Sequence, residues 1–176
     1  KQEFAKHRDL SRTASAGMFK GGLADQSEIT TKYHTATHLL QAALRLVLGT
    51  HVQQKGSNIT AERLRFDFSH PQAVTKEEVA KVEQQINAWI KADLPVTKQM
   101  MEKQAALQSG AIAFFIEKYP DEVSVYTIGK DPSNDWVSKE LCGGPHVGHT
   151  GEIGGVKITK EQAVSAGVRR MYVELG

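Results

Sequence analysis

A single cysteine, Cys142, stands in 176 residues, so no internal disulfide frames this fold. One thiol fits a reducing, cytoplasmic setting and is available as a metal ligand. No apolar run approaches the roughly 18 residues that span a bilayer, so no membrane partner is expected. The first 22 residues are polar and basic and lack the apolar block of a secretory signal. A strong charge of either sign is also missing. The net charge of +2 permits nucleic-acid binding without demanding it, and a local basic patch has to carry that case. Internal repeats and low-complexity tracts are absent. Lys1 rather than Met opens the chain, which reads as a piece of something longer.

Length and a hydrophobic content of 40% suit one globular domain with a sizeable core, with room for an extension. Residues 1–26 read as a helical lead-in and linker, because "QEFAKHRDLSRTASAGM" is helix-prone but has few apolar anchors. Residues 27–176 form the domain. A long helix is expected from about Ser27 to Leu48, stopped by Gly49, with Leu39, Leu40, Ala43, Leu44, Val47 and Leu48 on its apolar face. Two strand-like segments follow, "HVQQKGSNI" and "RLRFDFS". The second alternates around Leu64, Phe66 and Phe68.

Thr75 and Glu78 make a capping box that opens another helix, whose inner stripe is Val79, Val82, Ile86 and Trp89 or Ile90. "PVTKQMM" reads as a strand from Pro95, residues 102–109 as a short helix ending at Gly110, and "EVSVYTI" as a strand. "GGVKITKEQAV" and "GVRRMYVEL" look like a closing pair. Helices and strands mix without regular alternation, which gives an α+β class with a largely antiparallel sheet.

In "YHTATHLL", His34 and His38 share one face of the long helix. Cys142 lies in "LCGGPHVGHTGEIGG" with His146 four residues later. Gly143, Gly144 and Pro145 exclude a helix there, so that pair sits on a tight loop. Imidazoles on a helix and a Cys/His pair on a loop make a coherent zinc set, since zinc takes nitrogen at about 2.0–2.1 Å and thiolate at about 2.3 Å. His7, His51, His70 and His149 have no comparable spacing and read as solvated or structural. The first pair is not the H-E-x-x-H of metalloproteases, because Thr35 stands where the general-base glutamate would be. The zinc site is then either structural or able to direct water onto an ester.

"HTATHLLQAALRLVLGTHVQQKGS", "LRFDFSHP", "ELCGGPHV", "TGEIG" and "AGVRR", in that order over residues 27–175, resemble the editing domain of alanyl-tRNA synthetases. Threonyl-tRNA synthetases and free-standing trans-editing proteins share this module. The resemblance implies hydrolysis of seryl- and glycyl-tRNA(Ala), with the tRNA acceptor end and the rest of a parent synthetase as partners. It also implies a Zn2+ site of His34, His38, Cys142 and His146. Gln54 matches the family's glutamine in "QKGS", which positions or reads the aminoacyl group, and Glu140 stands where threonyl relatives carry a functional aspartate. Two features depart from the alanyl pattern. Pro145 precedes the histidine as in threonyl members, where alanyl ones mostly read C-G-G-T-H, and the usual preceding small β-barrel has no counterpart segment here. A threonyl-type or free-standing deacylase, and a zinc-stabilised RNA-binding module without turnover, are the rival readings.

The chemistry needs a second sieve. A site built for alanine cannot exclude glycine by size, and it rejects a hydroxyl-bearing near-isostere by only about a hundredfold. A second site can demand the hydroxyl through polar groups such as Gln54 or Thr37. The zinc ion would polarise the ester carbonyl, activate a water or hold the α-amino group. Lys55, Arg63, Arg65, Arg169 and Arg170 are the candidates for salt-dependent phosphate contacts.

Overall fold

The computed structural model describes residues 22–114 and 116–176; the expected lead-in helix over residues 2–18 lies outside these. The long helix α1 (Glu28–Leu48) starts where Ser27 accepts the Thr30 amide. It stops at Gly49, whose N–H returns to the Arg45 carbonyl. Strands β1 (Gln54–Ile59) and β2 (Leu64–Ser69) follow as an antiparallel pair. Helix α2 (Lys76–Lys91) opens on the full capping box, with the Thr75 amide donating to Glu78 Oε2 and the Glu78 amide to Thr75 Oγ1.

Strand β3 (Val96–Glu102), short helix α3 (Lys103–Gln108), β4 (Glu122–Asp131) and β5 (Asp135–Leu141) come next, and β6 (Val156–Ser165) and β7 (Val168–Leu175) close the chain. Two single 3-10 turns, Ile116–Lys118 and Thr150–Ile153, flank the β4–β5 region.

The α+β reading holds, with the strands divided between two antiparallel sheets. One has order β1-β2-β7-β6 and the other β3-β4-β5. Strand β5 has no counterpart in the sequence reading, because "DWVSKEL" carries too many polar residues to declare itself. Its burial comes instead from α1 and from its partner β4.

The main core lies between α1, α2 and the inner face of the four-stranded sheet. Leu39, Leu40 and Leu44 meet Leu64, Phe66, Met171 and Val173 there, with Val82 and Ile86 from α2. A smaller cluster of Val123, Val125, Leu141, Ala106 and Tyr119 serves the three-stranded sheet. Tyr33 ties α1 across the first core: its hydroxyl donates to the Glu62 carbonyl at 2.9 Å and accepts the Leu175 amide at 3.1 Å.

Helix α1 has no solvated face along its middle. Every residue from Tyr33 to Gln41 is buried, so its polar stripe is inside the molecule with its leucines. A helix enclosed on all sides carries polar groups only where they find partners. These partners make the site.

Candidate metal centre and adjoining cleft

His34 and His38 come from α1, Cys142 and His146 from the loop after β5. That loop is held against β4 and β3. The Cys142 amide donates to the Ser124 carbonyl at 3.1 Å, and the Ser124 hydroxyl donates to the Cys142 carbonyl. Farther along, the Val96 amide donates to the Gly148 carbonyl at 2.9 Å. Within the loop, Gly144 has φ +67°, a region L side chains rarely adopt. A Cβ there would lie 2.4 Å from Tyr126 Oη. Only glycine fits.

These restraints bring one donor atom from each of the four residues within 4.8 Å of the others. Cys142 Sγ lies 3.3 Å from His34 Nε2 and 3.4 Å from His146 Nε2. Two ligands of a tetrahedral zinc at ordinary bond lengths stand about 3.6 Å apart, so the spacing fits such an ion. His34, His38 and Cys142 are only 1%, 7% and 0% exposed.

The outer nitrogens make the fit more specific. His34 Nδ1 is 2.9 Å from the Pro145 carbonyl, which can only accept, so the proton sits on Nδ1 and the Nε2 lone pair faces inward. His38 Nδ1 meets the Glu140 carboxylate, again an acceptor. His146 Nδ1 meets the Thr35 hydroxyl at 3.0 Å. Ligating histidines characteristically donate their second N–H to a carbonyl, carboxylate or hydroxyl. Burial pushes His34 down to about 4 and pushes His38 and His146 well down, holding the imidazoles neutral as ligation requires. Burial alone also pushes the Cys142 thiol up to about 12. A cation beside the sulfur would reverse that, and the Gly144 amide, 3.4 Å from Sγ, already donates to it.

Three of the four, His34, His38 and Cys142, line a cleft of about 730 Å³, whose walls also include Thr37, Gln41, Gln54, Lys55 and Glu140. Thr37, Gln54, Lys55 and Glu140 therefore share one cleft with His34, His38 and Cys142. Arg63, Arg65, Arg169 and Arg170 do not line the cleft. They belong to the four-stranded sheet region, where Arg169 is bound to Glu161 at 2.5 Å and Arg170 grips Asp67 through two bonds of 2.7 and 2.9 Å. Arg63 donates to Asn58, and Arg65 lies 3.9 Å from Asp67.

The sequence reading assigned Thr35 no role in the site and did not single out Gln41. Gln41 continues the stripe His34, Thr37, His38 at helical spacing, a signal that was present.

Among known proteins, the family described as the threonyl and alanyl tRNA synthetase second additional domain matches residues 123–172. The chain is 59% identical over 174 residues to an alanine–tRNA ligase of Treponema denticola, an alignment covering 99% of this chain and 28% of that one. It is 52% identical over 147 residues to the alanine–tRNA ligase of Thermus thermophilus, covering 84% of this chain and 17% of that one. The chain matches a stretch of alanyl-tRNA synthetases that takes in their second additional domain. The domain match takes in the loop ligands Cys142 and His146 and stops short of the helix bearing His34 and His38. The ligase of Treponema denticola aligns across both halves of the site. Of the length of that relative, the chain spans 28%. Among the described residues, no helix is long and apolar enough to cross a membrane.

Proposed function

We propose that this domain is a cytoplasmic deacylase that hydrolyses the ester of mischarged seryl- and glycyl-tRNA(Ala), with Zn2+ held by His34, His38, Cys142 and His146. The observation that carries the reading is a cleft of about 730 Å³ with His34, His38 and Cys142 of the ligand set in its wall, a volume typical of small-ligand sites. In the reaction water adds to the ester carbonyl carbon, the bond to the terminal ribose oxygen breaks, and that oxygen leaves with a proton. The ion, when bound, supplies Lewis acidity toward the ester or a hold on the α-amino group.

The chain's own residues select and orient. Thr37 donates its hydroxyl proton to the Tyr33 carbonyl at 2.9 Å, so toward substrate its oxygen acts as an acceptor for a serine hydroxyl or an α-ammonium. Gln54, held to Ser57 Oγ at 3.2 Å, stands on the same cleft wall. Glu140 acts through His38, fixing the ring that holds the ion. Exposed Lys55 is the cation best situated for the terminal phosphates. Arg63 and Arg65 come next, and the carboxylate-bound Arg169 and Arg170 last. The phosphate contribution makes binding weaken as salt rises.

The deciding experiment measures release of serine, glycine and alanine from the same tRNA(Ala), with and without chelator. Serine should leave far faster than alanine, and chelation should stop it. Equal rates for serine and alanine, or full activity in metal-free protein, would overturn the reading. Gln54→Ala should lower the serine-over-alanine ratio; an unchanged ratio removes Gln54 as discriminator.

A further inference from the structure

We propose that Thr35 is a positioning residue for the metal centre: its hydroxyl selects the His146 tautomer and latches the Cys142–His146 loop onto α1. The inference rests on the four-residue metal reading and is independent of whether the site hydrolyses esters.

Thr35 is fully buried, and its hydroxyl meets three groups. It donates to the Thr31 carbonyl at 3.3 Å, accepts the Val147 amide at 3.1 Å, and lies 3.0 Å from His146 Nδ1. A hydroxyl has one proton and two lone pairs. With the proton committed to Thr31 and one lone pair to Val147, the remaining lone pair can only accept from His146. That places the imidazole proton on Nδ1 and leaves Nε2, 3.4 Å from Cys142 Sγ, with its lone pair toward the metal position. The opposite hydroxyl orientation would donate to Nδ1, protonate Nε2 and remove one ligand.

His34 and His38 already have obligate acceptors behind them, a carbonyl and a carboxylate. His146 alone depends on a group that can both donate and accept. The Thr31 carbonyl one turn back resolves that ambiguity. Thr35, the first of the three residues between the helix histidines, thus has a use in this site even though it supplies no carboxylate base.

Two measurements on the whole domain test this. In the zinc-loaded protein, nitrogen-correlated NMR of His146 should show a protonated Nδ1 and a ligated Nε2; the reverse tautomer overturns the proposal without any variant. Thr35→Val keeps the shape and removes the acceptor, and should weaken zinc binding about 10- to 100-fold in competition with a chromophoric chelator. It should also alter the absorption bands of the Co2+-substituted site. Thr35→Ser should restore both. Unchanged zinc affinity in Thr35→Val, or no rescue by serine, overturns the role. A wild-type domain that binds no zinc overturns the metal reading with it, and normal metal readouts without deacylation leave this inference standing while the proposed activity falls.

Discussion

At the scale of single residues, the site depends on groups with little latitude. Cys142→Ala should abolish deacylation and lower the melting temperature, yet leave a folded domain at room temperature, since the hydrophobic core of α1, α2 and the larger sheet does not include the sulfur. Circular dichroism and seryl-tRNA hydrolysis check the two halves; an unfolded variant would make the zinc structural. Gly144→Ala meets both the positive φ and the Tyr126 hydroxyl, so zinc affinity should fall by at least tenfold, measured by chelator competition.

His149 and Asp93 form an exposed pair outside the site. The Asp93 hydrogen bond raises His149 above its ordinary 6.5, and the His149 hydrogen bond lowers Asp93 below its ordinary 3.8. The histidine contribution is complete below 6.5 and disappears as pH rises through the raised value. The aspartate contribution is complete above 3.8 and disappears as pH falls through the lowered one. Asp93→Asn should therefore lose melting temperature most between about pH 4 and 6 and approach wild type in alkali. A constant difference across pH would remove the pair as the cause. The His34, His38, Cys142 and His146 cluster was legible in the sequence because the residue types and spacing are restrictive. Thr35 was not, because a helical threonine announces nothing until the loop that its hydroxyl receives is known.

Among the elements, the capped helices were the easiest to read: Ser27, Gly49 and the Thr75–Glu78 box carry their boundaries in local chemistry. Strand β5 was hidden because tertiary neighbours, and not its own pattern, bury it. The face of α1 was half legible. Its leucines declare the core, but the opposite stripe of histidine, threonine and glutamine looks solvated until the cleft and the second sheet cover it.

Helix α2 also has a task that no periodicity reveals. Asn87 exchanges two bonds of 2.9 Å with the Val156 amide and carbonyl, and Glu83 accepts the Ile158 amide at 2.8 Å. Side chains of α2 thereby supply β6 with partners along its outer edge, where an unpaired strand invites association. Asn87→Ala strips two backbone groups at once and should destabilise the domain by about 1–3 kcal/mol, read from the urea midpoint. A loss below the error of that measurement would mean that water replaces the amide.

For the molecule as a whole, metal content is the simplest expectation. Elemental analysis of domain purified without added metal should give one zinc per chain, and a value near zero with full deacylation would exclude the ion from the mechanism. The split of the four ligands between α1 and the loop after β5 also has a consequence in time. His34 precedes Cys142 by 108 residues, which a ribosome adding 5–20 residues per second takes about 5–20 s to cover. Throughout that interval the nascent helix offers two imidazoles and no thiolate. A tight tetrahedral site cannot close until β4, β5 and the glycine loop have emerged. On the proposed metal reading, full-strength retention of the ion would thus mark a nearly finished domain, and chains halted before Cys142 should surrender it to weak chelators that the completed protein should resist.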